Sequence, residues 1–336
     1  MNKKLLIGII VVLVLAGIGT YYLLTQKTGE KTQKVYKVGI LSGTDAFLGM
    51  AEGFKAKMTE LGYIEGKNIV YDYQKVNADP EGEKRAAKKF VEDKVDLIFV
   101  FPTEPTVAVQ LATKGTNIPV VFAYAGIEGA DLVKSVREPG GNLTGVRFPG
   151  PEQMGKRLEL LHQLVPRAKR VWIGYDKNYP NTAPALAALR PLALSLGITL
   201  VEVPAATLED LKNDLAKRAK SADIGMDAMI LMPDIFNHSP DGWEIIFKFA
   251  GEHKVPVAGS FPNTLELGAI FGNANDPVKV GELAAPLADK IFSGIPVGTI
   301  PVATPEQTLW INYKRAQELG LTVPQDLLNR ADKIIR

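Results

Sequence analysis

The chain has 336 residues, enough for two domains that each bury a core of their own. Its 39 basic and 37 acidic side chains leave a net charge of +2, so no electrostatic footprint for a nucleic-acid partner stands out. There is no cysteine, which excludes disulfides, thiolate metal sites, cysteine nucleophiles and attachment through a lipidated N-terminal cysteine.

The first predicted element follows Lys3 and Lys4. Leu5 to Leu24, LLIGIIVVLVLAGIGTYYLL, is a charge-free and mostly apolar run. As a helix of about 20 residues it spans roughly 30 Å, the thickness of a bilayer core. It is longer than a signal-peptide core and ends in Tyr21, Tyr22, Leu23 and Leu24 rather than a small-x-small cleavage site. An uncleaved anchor is the expected reading and a cleaved export signal the alternative; both put the body outside the cytoplasmic membrane. QKTGEKTQK, Gln26 to Lys34, is a polar tether, so residues 1–34 form a membrane segment plus linker.

The folded body begins with YKVGILSG, Tyr36 to Gly43, as a strand. Phe47, Met50, Phe54, Met58 and Leu61 then keep helical spacing up to a Gly62 cap. Ile69 to Tyr73 is a second strand, and Asp79 with Pro80 starts a charged helix whose inward face is Ala86, Ala87, Phe90 and Val91. VDLIFVF, from Val95, has no alternation and reads as a strand buried on both faces. A helix from Pro105 to Lys114 and the strand IPVVFAY follow.

The same order then repeats. RVWIGYD from Arg170, a helix over Asn181 to Leu196 closed by Gly197, ITLVEV, a helix over Leu208 to Lys220, MDAMILM, a helix near Asp241 to His253 and VPVAGS make the second copy. Short buried strands alternating with helices in two series mean two doubly wound α/β lobes. Between them PGGNLTGV, Pro139 to Val146, reads as a hinge strand. Leu267 to Pro277 and Ile300 to Tyr313 each look like a strand broken at mid-length, as expected where the chain crosses between lobes. Pro277 to Phe292 is then a helix returned to the first lobe, and Tyr313 to Leu319 and Pro324 to Ile335 are closing helices.

PGGNLTGV, LGYIEGKNI, KVDLIFV and the tail VATPEQTLWINYKRAQELGLTVPQDLLNRADKII resemble the ABC-transporter substrate-binding proteins related to tryptophan- and other aromatic-amino-acid-binding lipoproteins. The resemblance runs from Tyr36 to the C-terminus. It implies a type I periplasmic-binding-protein fold: two Rossmann-like, flavodoxin-type lobes, three crossovers and one ligand closed between them. The expected division is residues 35–146 with 275–301 as one lobe and 147–274 with 302–336 as the other. The implied role is to capture a small molecule, an amino acid or an aromatic or amine-bearing metabolite, and hand it to an ABC permease without chemistry or cofactor. A membrane-tethered sensor is the alternative. The sequence departs from its relatives in having no lipidated cysteine, Ala125, Gly126 and Ile127 where a Thr-Asp-Pro turn is usual, and Pro102, Thr103, Glu104 and Pro105 in place of a Gly-Thr-Pro type of turn.

Ligands of open α/β sheets bind outside the carboxyl ends of the strands. The candidate ligand-binding residues are therefore Ser42, Thr44, Asp45, Phe47, Thr103, Glu104, Tyr124 and Glu128 in the first lobe. Asn178, Tyr179, Asp234, Phe236, Asn237 and Phe261 are those of the second. Asp234 or Glu104 suits an ammonium, and helix N-termini with Ser42 and Thr103 suit a carboxylate. Each of these Ser, Thr, Asp and Asn residues also reads as an N-cap, and Phe236 as core. His162, His238 and His253 stand apart without ligand spacing, so no metal site is expected, and no G-x-S-x-G or H-E-x-x-H motif appears.

Overall fold

A computed structural model of the chain describes residues 34–128 and 130–336. The apolar segment Leu5 to Leu24 and the tether as far as Gln33 lie outside the described residues. Among the described residues no helix is long and apolar enough to cross a membrane.

The first lobe is built on β1 (Tyr36–Ser42), β2 (Ile69–Lys75), β3 (Leu97–Phe101), β4 (Val120–Ala125) and β5 (Leu143–Arg147), all parallel in the order β2-β1-β3-β4-β5. Its helices are α1 (Leu48–Glu60), α2 (Pro80–Glu92) and α3 (Thr103–Thr113). Successive side chains of a strand face opposite sides. Accordingly Leu97, Phe99 and Phe101 enter one apolar cluster with Phe54, while Ile98 and Val100 enter another with Phe90. Every residue of β3 is buried, which explains why its sequence shows no alternation.

The chain then passes through Phe148 and Pro149 into α4 (Gly150–Leu164) and the second sheet. There β6 (Arg170–Asp176), α5 (Thr182–Ser195), β7 (Thr199–Ala205), α6 (Leu208–Ala219), β8 (Ala228–Ile230), α7 (Pro240–Glu252), β9 (Val257–Gly259), α8 (Pro262–Glu266) and β10 (Phe271–Ala274) repeat the pattern. The order β7-β6-β8-β9-β10 matches that of the first lobe strand for strand. Caps set the helix starts: Asp79 accepts from Glu81 N at 3.1 Å ahead of Pro80, and Thr207 with Asp210 forms a capping box.

A second crossing at Asn275 and Asp276 leads to α9 (Pro277–Phe292), which packs on α1. The chain returns through Ala303, bridged to Val146 in the first lobe, to β11 (Thr308–Asn312), the one antiparallel neighbour in the second sheet. Short helices α10 (Tyr313–Glu318) and α11 (Gln325–Arg330) follow.

Three expectations need correction. The last segment is not one helix to Ile335: Ala331 is extended, and β12 (Lys333–Ile335) pairs with Trp310 to Asn312, where two β-branched residues suit a sheet edge. Pro139 to Asn142 is a turn, with Gly140 and Gly141 at φ +68° and +61°, and the strand starts only at Leu143. The helix after β3 begins at Thr103, two residues earlier than the Pro105 start expected.

The contact of α1 with α9 depends on glycine. A Cβ on Gly281 falls 2.0 Å from Met50 O and 2.7 Å from Phe54 N, and one on Gly53 falls 2.0 Å from Val278 O. Because these neighbours are backbone, Gly281→Ala is expected to destabilise by about 2 kcal/mol through overpacking. At this chain size that is a fall of roughly 3 °C in melting temperature. An unchanged melting curve would mean that the two helices are free to slide apart.

Candidate ligand cleft

Both sheets turn their carboxyl ends toward one cavity of about 730 Å³. A 2-1-3-4-5 order places its switch point between the first and third strands. The loops there are Gly43 and Thr44 after β1, and Pro102 to Pro105 after β3; all of these line the cavity. From the second lobe Tyr179 and Asn181 after β6, Asp234 and His238 after β8, and Ser260, Phe261 and Asn263 after β9 close the other side.

Aromatic rings join the two halves. Phe47 of the first lobe lies 5.9 Å from Phe261 of the second, edge to face, and Tyr124 lies 5.4 Å from Phe47, 4.8 Å from Phe148 and 6.2 Å from Phe261. Such offset and edge-on pairs are favourable geometries for π systems. Tyr124 reaches this cluster because its backbone is left-handed, φ +55°, where the β4/β5 register shifts between Ala123 and Ala125. A bulge of this kind re-aims a side chain. Burial pushes the Tyr124 phenol up to about 12, so it is a neutral donor there.

Three carboxylates line the cavity, and they differ. Asp234 is 2% exposed, and its Oδ1 already accepts from Phe236 N at 2.9 Å, Asn237 N at 3.1 Å and Asn237 Nδ2 at 3.0 Å. Burial still pushes it up to about 6, those hydrogen bonds working against the shift. Glu104 opens α3 and faces Tyr179, whose phenol is raised well above its ordinary value by burial first and the Glu104 charge second. Glu83 stands on α2, among Ala78, Pro80 and Pro105 at the cavity wall.

Cations are scarce. Arg157 is the one lysine or arginine among the described residues at the wall, and it is 1% exposed. Its Nε donates to Asn273 Oδ1 at 2.8 Å, Nη1 to Leu231 O at 2.6 Å and Nη2 to Asn273 O at 2.8 Å. Burial pushes it down to about 10. His238 is held neutral, pushed down to about 4 by burial. Its Nδ1 lies 3.0 Å from Asp234 O, a carbonyl that only accepts, so Nδ1 carries the proton and Nε2 accepts from Ser260 Oγ at 3.0 Å. No group of three His, Asp or Glu residues suited to a metal occurs among the described residues.

The crossovers are tied behind the cleft. Asn273 Nδ2 donates to Gln153 O at 3.1 Å and Gln307 Oε1 at 3.3 Å. Gln153 Nε2 donates to Asn275 Oδ1 at 3.3 Å, and Asn275 Nδ2 to Glu306 O at 2.8 Å. Residues next to all three crossings are in this network, with Arg157 at its end.

Of the residues read from sequence, Thr44, Phe47, Thr103, Glu104, Tyr124, Tyr179, Asp234 and Phe261 meet at the cavity. The others lie elsewhere, each held by a partner. Ser42 is buried with its hydroxyl donating to Thr44 O at 3.0 Å, Asp45 pairs with Lys75 at 2.6 Å, and Glu128 pairs with Arg147 at 2.5 Å. Asn178 is exposed, its N–H bonded to Asp176 Oδ1 at 2.8 Å. Phe236 packs on the core of the second lobe, and Asn237 Nδ2 donates to Gly174 O at 2.8 Å. Glu83, Phe148, Gln153, Arg157, Asn181 and Trp243 also line the wall without standing at a strand tip marked by the sequence pattern, and His238 joins them although it is a lone histidine in the sequence.

Comparison with known proteins agrees with this geometry. A profile of the family described as ABC transporter substrate binding protein matches residues 37–335. The tyrosine-binding protein of Clostridioides difficile (strain R20291) is 30% identical over 284 residues, 84% of this chain and 79% of that one. A conserved domain protein of Vibrio cholerae superposes with a TM-score of 0.78 at 28% identity, covering 90% of this chain and 100% of that one. A ligand-free, open substrate-binding protein with adhesive properties from Clostridium difficile gives a TM-score of 0.71 at 28% identity, over 89% and 99%. With matched lobes, a shared cleft and a family profile spanning nearly all of the described residues, the chain belongs to the ABC transporter substrate binding protein family.

Proposed function

We propose that the chain is the extracytoplasmic solute-binding component of an ABC importer. It holds a small molecule with an aromatic ring and a protonated amine, an aromatic amino acid or related metabolite, between two closing lobes. Residues 35–146 with 275–301 act as one jaw and 147–274 with 302–336 as the other. The Leu5 to Leu24 segment holds the body at the outer face of the membrane, where a permease receives the ligand. The protein binds and releases without turning the ligand over.

The observation that carries this reading is the pairing of rings with acids in one cavity. Phe47, Tyr124 and Phe261 come from both lobes, and Glu104 and Asp234 stand beside them. Only a ligand contacted by both jaws favours closure, since closure is driven by differential contact with the closed state. The tyrosine-binding relative supports a ring-bearing ligand.

The test is a thermal-shift and calorimetry screen of amino acids, amines, nucleobases and sugars. A ligand at a hundred times its Kd stabilises the native state by about 2.7 kcal/mol and raises the melting temperature. Aromatic, amine-bearing compounds are expected to give the largest shifts. Shifts from sugars or nucleobases alone would discard the reading.

A further inference from the structure

Glu83 has no ordinary reason to be where it is. It is 6% exposed, lines the cavity, and its carboxylate makes no hydrogen bond or ion pair among the described residues. Buried carboxylates are normally paired, because removing such a charge from water is costly. The charges that act on it are acidic: Glu104 on α3, and Asp79 at the start of α2, which is itself paired with Arg85 at 3.0 Å. Burial first, then Glu104, then Asp79 push the Glu83 carboxyl up to about 7. Across the cleft Tyr179 stays a neutral phenol.

We propose that Glu83 and Glu104 together receive the protonated amine of the ligand, and that an aromatic amine is recognised through this head with no need of a ligand carboxylate. This rests on reading the cavity as the ligand cleft. An ammonium brings three N–H donors and the missing counter-charge. Asp234 is the weaker competitor for it, since Oδ1 takes three hydrogen bonds from its own turn and Oδ2 a fourth from Asn237 Nδ2. A carboxylate on the ligand finds no free cation at the wall, only uncharged donors. Every nitrogen of Arg157 is engaged, and both ring nitrogens of neutral His238 are engaged. A zwitterion therefore gains no ion pair over the amine of the same ring.

The proposal also fixes a pH dependence. In the empty cleft Glu83 is largely protonated below neutrality, and an ammonium binds its ionised form. Binding expels a proton, so affinity rises with pH across the neutral range, by about tenfold from pH 6 to pH 8.

Calorimetry on the full chain with tyramine, tyrosine and hydroxyphenylpropionate, and with tryptamine, tryptophan and indolepropionate, tests it. In at least one series the amine is expected to bind as tightly as the amino acid or tighter, and at least about tenfold more tightly than the deaminated acid. Glu83→Gln is expected to weaken amine binding by about tenfold or more and to flatten the pH dependence, and Glu104→Gln to weaken it independently. Glu83→Gln should melt no lower than the parent without ligand, because it removes an unpartnered buried acid. A deaminated acid binding as well as its amine, or an amino acid binding over about tenfold tighter than its amine, overturns the proposal and leaves the cleft assignment standing. Binding by none of the six overturns the reading of the cleft as a site for a ring-bearing amine.

Discussion

Arg157→Leu is expected to lower stability by about 3 kcal/mol, the largest loss from any single side chain at the cleft. Three acceptors depend on this guanidinium: Leu231 O, Asn273 O and Asn273 Oδ1. Leucine fills the volume but leaves all three buried and unbonded, at about 1–3 kcal/mol each, while relief from burying the charge offsets part of the loss. At this size the change amounts to roughly 4–5 °C in melting temperature. Arg157→Lys is expected to rescue little, because one ammonium cannot span the places that a planar fork reaches. Asn273 also bonds Gln153 and Gln307, so the loss extends to the crossovers. Denaturant melts of both variants give the answer. A change under about 1 kcal/mol would show that water replaces the guanidinium at no cost.

Arg157 is marked in the sequence by its setting, not its chemistry. Met154, Arg157, Leu158 and Leu161 keep the i, i+3, i+4, i+7 spacing of a buried face, and all four are buried. Glu83 follows the same rule with Ala86, Ala87 and Phe90 on α2, although a helix so rich in lysine reads as a solvated face. A charge on an apolar stripe is thus a visible signal for a buried polar site, and it marks the two least expected residues of this cleft. The fold was legible for a related reason: the twice-buried strands lack alternation, and their order recurs after the hinge.

Other features were not legible in one dimension. The bulge that turns Tyr124 inward leaves no mark in VVFAYA, since no glycine or asparagine occupies the left-handed position. The neutrality of His238 depends on burial that sequence does not report, and its acceptor nitrogen meets Ser260, 22 residues away. Strand tips also carry more polar residues than a cavity can use. Which of them turn inward is settled by local partners such as Lys75 for Asp45 and Arg147 for Glu128, and spacing holds no record of those pairs.

Gly126→Leu is expected to weaken ligand binding by about a hundredfold, or about 2.7 kcal/mol, while leaving the ligand-free protein folded. Gly126 follows β4 in the first lobe, with its N–H donated to Thr103 Oγ1 at 3.0 Å, and Asn181 stands opposite it in the second. A Cβ on Gly126 would fall 2.0 Å from Asn181 Oδ1 and 3.0 Å from its Cγ. Asn181 Oδ1 ends a rotatable side chain, so alanine is tolerable and should cost about tenfold at most. Leucine extends beyond any rotamer that Asn181 can vacate, because Asn181 is 9% exposed and hemmed in at the start of α5. The clash exists only while the jaws are together. It therefore penalises the state that holds the ligand and spares the state in which the lobes stand apart, and a ligand shifts that equilibrium only by its differential affinity for the two. Calorimetry should show the weaker binding, and small-angle scattering should show that saturating ligand no longer contracts the molecule. If the leucine variant binds within about threefold of the parent and still contracts, Gly126 and Asn181 do not meet when the ligand is held.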